Sequence, residues 1–228
     1  MKYKAVIFDM DGTIVDTEKI WEKTNQLLLE RRGIPYTNEL QKELQSKVHG
    51  LATHKSCQII KDVAQLEDAV EDLIREKSEL ALEIYYQGIC FIEGFQEFHQ
   101  QVVAHNLKSG IATNADKPIL SHTAQALQLD RYFGSHMYSI DRVQYICKPD
   151  PAIYLYVAQR LGIAPQECIA IEDSAHGINS AKHAGMYCIG INTSRNLEQI
   201  KESHLQVESY SSINLPEILC IAQDSLDL

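Results

Sequence analysis

The chain lacks any apolar run of the length that crosses a membrane, and its first apolar segment is short. Ala5–Phe8 follows a polar start with two lysines and ends at Asp9. A membrane-spanning helix needs about 20 apolar residues, and a secretory leader needs a longer apolar stretch than this one. We therefore expect a cytoplasmic protein that has no membrane partner.

Closely spaced cysteines are also missing. The six cysteines include no Cys-x-x-Cys pair, which argues against zinc-ribbon and dithiol redox motifs. Disulfides are rare in cytosolic proteins, where thiols are kept reduced. We expect the cysteines to be reduced thiols that serve as packing residues.

Positive charge is scarce. Lys and Arg number 21 against 31 Asp and Glu, so the formal net charge is −10, which argues against a general nucleic-acid binder. An acidic protein can still bind an anionic substrate where a divalent cation and local donors reverse the field in one cleft. With 228 residues, of which 45% are hydrophobic, the chain can form one large domain or a domain with an insertion.

Two carboxylates follow the first apolar run at once. Asp9 and Asp11 are two residues apart and Gly12 comes directly after them. One interpretation is an Asp-Gly turn that caps a helix. The other is a metal site in which a carboxylate nucleophile lies beside an acid/base, because two neighbouring Asp side chains repel each other unless a cation or a shared proton compensates. These residues alone do not separate the two.

Apolar strand-like runs alternate with helical patterns in two parts of the chain. Residues 1–15 and 88–228 show this alternation, which predicts an α/β fold: a Rossmann-like, doubly wound parallel sheet with helices on both faces. Residues 16–87 show helical patterns only. We expect them to form a four-helix cap domain inserted into the core domain. A last edge strand is predicted at Val207–Tyr210.

Polar residues end several of the predicted strands. Asp9, Thr113 and Asp173 each follow a different apolar run, and the carboxyl ends of parallel strands meet at one edge of a sheet. Carboxylates at this edge suit Mg²⁺, whereas the lack of His and Cys among the residues that directly follow these strands disfavours zinc. Thr113, Asn114 and Lys148 add the donors that a phosphoryl group needs.

Four motifs in this order resemble the haloacid dehalogenase-like hydrolase superfamily. They are Asp9-Met10-Asp11-Gly12-Thr13, Thr113-Asn114, Lys148-Pro149 and Glu172-Asp173-Ser174. The resemblance covers essentially the whole chain, and the helical insertion after the first motif is similar to the cap of the branch that contains β-phosphoglucomutase and small phosphosugar or nucleotide phosphatases. Four ordered motifs make a chance match improbable.

The resemblance implies roles for the acidic residues. Asp9 is expected to be the nucleophile that forms an aspartyl-phosphate, and Asp11 the general acid/base. Mg²⁺ is expected as the cofactor, held by the Asp9 side chain, the Asp11 main-chain carbonyl and Asp173. Glu172 is expected just outside the metal's direct ligands.

The resemblance also implies a binding site for the transferred phosphoryl group. Thr113 and Lys148 are expected to hold its oxygens, and Lys148 to relieve the repulsion between Asp9 and the incoming anion. Asn114 is the next expected phosphate contact. The partner is therefore a small phosphorylated substrate, and the protein itself is expected to be a monomer or a weak homodimer.

These roles predict a Mg²⁺-dependent phosphomonoester hydrolase acting on a sugar, polyol or nucleoside phosphate. One alternative is a β-phosphoglucomutase-like phosphosugar isomerase, although Trp21 stands where that branch is expected to carry a His. The other is a non-catalytic protein that binds phosphometabolites. His49 and His54 are expected either in a substrate-facing loop of the cap or in a solvated loop.

Overall fold

A six-stranded parallel sheet forms the centre of the computed structural model, which describes residues 2–86 and 88–221. Its spatial order is β3-β2-β1-β4-β5-β6. The strands are β1 (Ala5–Phe8), β2 (Lys108–Ala112), β3 (Met137–Tyr138), β4 (Cys168–Glu172), β5 (Tyr187–Ile191) and β6 (Leu205–Val207). The chain order reverses direction beside β1, where open α/β sheets bind their ligands.

Helices pack around this sheet and connect its successive strands. Between β1 and β2 lie α1 (Glu18–Glu30), α2 (Asn38–Val48), α3 (Thr53–Ala64), α4 (Val70–Tyr85) and α5 (Phe95–Ala104). Between β2 and β4 lie α6 (Lys117–Leu127), α7 (Asp130–Phe133) and α8 (Ala152–Leu161). The remaining helices are α9 (Ala175–His183), α10 (Leu197–Ile200) and α11 (Leu215–Ile221).

Alternate residues of β1 face opposite sides of the sheet, as strand geometry requires. Val6 and Phe8 belong to an apolar cluster with residues of α5, α6 and α11. Ala5 and Ile7 belong to a second cluster with residues of α8 and α9. Because helices cover both faces, the strand is apolar throughout, and all four of its residues are fully buried. The predicted Rossmann-like α/β fold class is confirmed.

Helices α1–α4 form what we call the helical insertion. It has an apolar cluster of its own, built from residues of all four helices and including Leu28, Leu44, Ile60 and Leu73. The division into domains 1–15 with 88–228 and 16–87 stays a prediction, and its boundary residue Gln87 lies outside the described residues.

Two predicted elements differ from the structure. The edge strand expected at Val207–Tyr210 is found earlier, at β6, and Tyr210 instead begins a 3₁₀ turn. The Tyr210 hydroxyl donates to the Thr13 carbonyl at 2.9 Å, which fixes this segment against the loop that follows β1. Within residues 16–87 a helix is predicted from Leu66 to Tyr86, but α4 begins only at Val70, after the left-handed Gln65 that ends α3 and the extended Ala69.

No helix within the described ranges combines the length and the apolar character that crossing a bilayer requires. All six cysteines are free thiols, and Cys57, Cys147, Cys168 and Cys188 are buried.

Candidate active site

The carboxyl end of β1 carries Asp9 into a buried ion-pair network. The main-chain N–H of Asp9 still donates to Ile171 of β4 at 3.0 Å, so the sheet holds this residue in register. The Lys148 ammonium, 1% exposed, donates at 2.6 Å both to Asp9 Oδ1 and to Glu172 Oε1. Lys148, which lies in the loop before α8, therefore links the end of β1 to the end of β4.

Glu172 is enclosed by donors. Besides Lys148, the Tyr154 hydroxyl donates to Oε1 at 2.8 Å, and the Ser174 hydroxyl donates to Oε2 at 3.2 Å. Both carboxylate oxygens thus have protein partners in a fully buried position. Such a carboxylate is well suited to fix Lys148 and less available as a direct metal ligand.

Three carboxylates converge at this edge. Oxygens of Asp9, Glu172 and Asp173 lie within 4.8 Å of one another and could hold a metal ion. Gly12 lies against this group with a φ of +78°, and a Cβ at that position would come within 2.1 Å of Asp173 Oδ2. The glycine after Asp11 therefore leaves room for Asp173.

Burial and neighbouring charges act together on this network. Burial raises the pKa of Asp9 well above its usual value; Lys148 opposes this shift, while Glu172 and Asp173 add to it. Burial alone lowers the pKa of Lys148, but the adjacent Asp9 and Glu172 carboxylates outweigh it and raise that pKa. Lys148 therefore stays charged, and one ammonium faces more negative charge than it can neutralise. A divalent cation fits this imbalance.

Asp11 lies beside this network but has different partners. Its Oδ1 accepts hydrogen bonds from the Tyr85 hydroxyl at 2.6 Å and from the Trp21 indole N–H at 3.2 Å. Burial raises the pKa of Asp11, and the hydrogen bonds from Tyr85, Thr17 and Trp21 partly offset that shift. A carboxyl group with a raised pKa keeps its proton to higher pH than a solvent-exposed Asp does, which favours a role in proton transfer.

The end of β2 brings Thr113 and Asn114 to the same edge. Thr113 is buried and its hydroxyl oxygen accepts from the Ala115 N–H at 2.9 Å, which leaves the hydroxyl hydrogen able to donate. The Asn114 side chain donates to the Gly50 carbonyl at 3.0 Å and accepts from the Lys148 N–H at 3.1 Å. Thr113 is thus set up as a donor, and the Asn114 amide is occupied by protein groups.

A cleft of about 560 Å³ separates this edge from the helical insertion. Asn25, Ser56 and Lys77 line its far wall and are each at least nine-tenths buried. The Lys77 ammonium donates to the Ser56 hydroxyl at 2.7 Å and lies 5.7 Å from the centre of the Trp21 ring. Asn25 Oδ1 has no hydrogen-bond partner among the described residues. We call Trp21, Asn25, Ser56 and Lys77 the insertion wall.

Every residue predicted for the site lies at this cleft or directly behind it. Asp9, Asp11, Thr113, Asn114 and Asp173 line the cleft, and the loop residue His49 contacts Asp173 Oδ2 at 3.2 Å. Lys148 and Glu172 lie behind, and Lys148 contacts both Asp9 and Glu172. The chemical roles assigned to these residues stay predictions.

The polar residues of the insertion wall were missed by sequence reasoning. A signal for Lys77 was present, because it occupies an inward position of α4 between Leu73 and Leu80, both buried. A lysine within an apolar stripe is rarely buried without a reason. Asn25 carries a similar signal, because it lies four residues after Trp21 and three before the buried Leu28 on α1.

A family model described as haloacid dehalogenase-like hydrolase matches residues 6–191. The chain belongs to this family. The match begins in β1 and ends in β5, so it includes all four motif segments that form the cleft edge. The family predicted from these motifs is confirmed.

Two relatives with known names within the haloacid dehalogenase-like family are phosphatases. The phosphorylated carbohydrates phosphatase of Thermotoga maritima is 29% identical over 183 residues, covering 80% of this chain and 82% of the relative. The fructose-1-phosphate phosphatase YqaB of Escherichia coli K12 is 28% identical over 195 residues, covering 83% and 97%. The predicted enzyme class, a haloacid dehalogenase-like phosphatase, is confirmed at that level.

The structure of β-phosphoglucomutase from Clostridium difficile has a TM-score of 0.82 to this chain. It covers 98% of this chain and 99% of its own, at 22% sequence identity. At that identity the likeness extends to the fold and does not carry over the mutase activity.

Proposed function

We propose that this chain is a Mg²⁺-dependent phosphomonoester hydrolase that acts on a small phosphorylated metabolite through an aspartyl-phosphate. The observation that carries the proposal is the Lys148 ammonium shared by Asp9 and Glu172 beside Asp173. It provides a buried carboxylate next to both a fixed cation and a candidate metal position. A carboxylate can attack a phosphate anion only where positive charge screens the two.

The carboxylates of this edge fit a hard, oxygen-seeking cation. Asp9 and Asp173 would hold Mg²⁺ with the main-chain carbonyl of Asp11, while Glu172 would act through Lys148 and stay outside the direct ligands. The ion would neutralise the carboxylates and polarise a phosphoryl oxygen. The excess of buried negative charge over the Lys148 ammonium supports this assignment.

The first half of the reaction uses Asp9 and Asp11. A carboxylate oxygen of Asp9 forms a bond to phosphorus as the bond from phosphorus to the ester oxygen breaks. Asp11 gives its proton to that leaving oxygen, so an alcohol departs and an aspartyl-phosphate remains. The raised pKa of Asp11 supports the acid role, because it keeps the carboxyl group protonated to higher pH.

The second half returns the enzyme to its starting state. Asp11, now a carboxylate, takes a proton from water as the water oxygen attacks phosphorus. The bond between phosphorus and the Asp9 oxygen breaks, which releases phosphate and restores the Asp9 carboxylate. Lys148 and the Thr113 hydroxyl would hold the phosphoryl oxygens through both halves.

The insertion wall would receive the leaving group. Lys77 offers donors, the unpartnered Asn25 Oδ1 offers an acceptor, and the Trp21 ring offers an apolar face, while the Ser56 hydroxyl holds Lys77 and itself donates to the Thr53 carbonyl. A hydroxyl-rich leaving group can use both donors and acceptors. The relatives named for phosphorylated carbohydrates and fructose 1-phosphate support the same substrate class.

Phosphate release across a panel of phosphate monoesters tests this function. The panel contains sugar, polyol and nucleoside phosphates and is run with Mg²⁺ and again with a chelator. We expect Mg²⁺-dependent release that is fastest for sugar or polyol esters. Formation of an isomeric sugar phosphate without phosphate release would indicate a mutase. An untouched panel would indicate a protein that only binds phosphometabolites.

A further inference from the structure

The loop that joins α2 to α3 rests on the carboxyl edge of the sheet. This insertion loop, residues 49–52, contacts the core through two adjacent residues. His49 lies 3.2 Å from Asp173 Oδ2, and the Gly50 carbonyl accepts from the Asn114 amide at 3.0 Å. The helical insertion therefore meets the phosphate-binding edge through main chain as well as side chain.

Gly50 allows this approach because it has no side chain. Its φ is +71°, and a Cβ there would come within 2.5 Å of both Cβ and Oγ of Ser174. An alanine at this position would be strained by its own conformation and would also press on the segment that follows Glu172. The insertion loop is thus shaped for close contact with the core.

Asn114 joins this loop to Lys148. The same amide that donates to Gly50 accepts from the main-chain N–H of Lys148 at 3.1 Å, and the residue is 8% exposed. Its oxygen and nitrogen cannot exchange places, since each faces a group of the opposite hydrogen-bonding type. The two contacts therefore fix one orientation of the amide.

We infer that Asn114 is a positioning residue: its side chain couples seating of the insertion loop to the placement of Lys148. When the loop leaves the edge, the amide loses the partner that orients it, and the Lys148 main chain loses a fixed acceptor. The coupling matters for turnover only if the proposed function holds, but the seating itself is a property of the fold. Direct contact of the Asn114 side chain with phosphate is the competing assignment.

The single tryptophan of the chain reports on seating without any need for activity. Trp21 lies in α1 of the helical insertion, and its indole donates to Asp11 on the core. Lifting of the insertion exposes the ring to a neutral quencher such as acrylamide. Asn114→Ala should raise the quenching constant, because loss of one net hydrogen bond shifts a two-state equilibrium by about fivefold.

Two further variants keep this measurement decisive. Asn114→Asp preserves the shape and still accepts from Lys148, but it turns an oxygen toward the Gly50 carbonyl, so it should also increase quenching. Asn214→Ala removes an exposed asparagine that pairs with Glu217, far from the insertion loop, and should leave quenching unchanged. Wild-type quenching in both Asn114 variants would overturn the inference.

A double-mutant cycle then separates positioning from direct phosphate contact. Gly50→Ala, Asn114→Ala and the double variant are compared by kcat/KM on the best ester of the panel. If Asn114 acts through the loop, the double variant should lose no more than the more impaired of the two single variants. If the two losses multiply, Asn114 contacts phosphate independently and the inference is wrong.

The two measurements also separate this inference from the proposed function. Failure of the wild-type protein to release phosphate from any ester contradicts the function, and the quenching result still decides on seating. Normal turnover in the wild type together with unchanged quenching in the variants contradicts the inference alone.

Discussion

The buried charged groups on the two walls of the cleft have different neighbours. On the sheet edge, the Lys148 ammonium touches two carboxylates, and Glu172 has donors on both oxygens. On the insertion wall, the equally buried Lys77 has a hydroxyl and an aromatic ring as neighbours, and Asn25 Oδ1 has no partner within the described part of the chain. On the sheet edge Lys148 is thus paired with carboxylates, whereas the polar groups of the insertion wall lack charged partners that a ligand can supply.

This difference fits a division of labour between chemistry and selectivity. Reacting groups must be held rigidly before substrate arrives, because reorganisation during the reaction raises the barrier. Groups that recognise a leaving group gain by staying unsatisfied until it binds, since a substrate without matching polar atoms then leaves them unpaired. Leaving Lys77 without a charged partner destabilises its charged form, because burial lowers its pKa to about 8.

Replacing the attacking carboxylate should break the sheet edge most severely. Asp9→Asn keeps the size of the side chain but removes the nucleophile, so phosphate release should fall by at least about 10⁴-fold. Circular dichroism should show an intact fold. Asp72→Asn, an exposed residue paired with Arg75, is the matched control and should keep full activity. Substantial turnover by Asp9→Asn would assign the nucleophile elsewhere.

Removing the acid/base should have the next largest effect. Asp11→Asn cannot give a proton to the leaving oxygen, so kcat should fall by at least about 100-fold. Because Asp11 also activates water for every ester, the acid role is tested by kcat/KM, which reports the steps up to departure of the alcohol. The loss in kcat/KM should shrink for esters of p-nitrophenol, because that leaving group departs without a proton. Equal losses in kcat/KM for alkyl and p-nitrophenyl esters would contradict the acid role.

Replacing Lys77 of the insertion wall with a neutral residue should raise the stability of the fold and lower the activity. Lys77→Met removes a desolvated ammonium, so the folded protein should gain about 1 to 3 kcal/mol at neutral pH. The folded pKa of Lys77, about 8, lies below its unfolded value, so the unfolded state binds more protons between the two. Wild-type stability therefore rises with pH across that window, and the advantage of the variant should vanish above it.

Thermal unfolding of Lys77→Met from pH 7 to pH 10 measures this, with the exposed Lys42→Met as control. The same variant should lose about tenfold in kcat/KM on sugar or polyol phosphates and less on p-nitrophenyl phosphate. A uniform loss across esters would show that the insertion wall does not select the leaving group.

The smallest expected effect is a shift of the pH profile of kcat when Tyr85, which joins the helical insertion to Asp11, is replaced. The Tyr85 hydroxyl stabilises the Asp11 carboxylate, so Tyr85→Phe should raise the pKa of Asp11 further. Because the first half of the reaction needs protonated Asp11, the falling limb of the kcat profile should move to higher pH by about one unit or less. Tyr145→Phe, at an exposed position, should leave the profile in place. A shift toward lower pH would contradict the assignment.

Several elements follow from local pattern alone. The apolar run Ala5–Phe8 has those same bounds in β1, because a parallel strand buried on both faces is a short apolar run between polar turns. The polar residues after β1, β2 and β4 meet at one edge because parallel strands share a direction. The meeting of Lys77, Ser56 and Asn25 in one wall could not be predicted in this way, since it depends on how the four helices pack against one another.

The sequence by itself determined the family, the parallel strand direction that brings Asp9, Thr113 and Asp173 to one edge, and the presence of a helical insertion. Only the tertiary structure decided which groups became partners. Lys148 and Asp9 are 139 residues apart in sequence, and Tyr85 and Asp11 are 74 apart. The physical reason is that the spacing of apolar residues depends only on neighbours in the sequence. Hydrogen bonds and burial depend on distances in space, which packing alone sets.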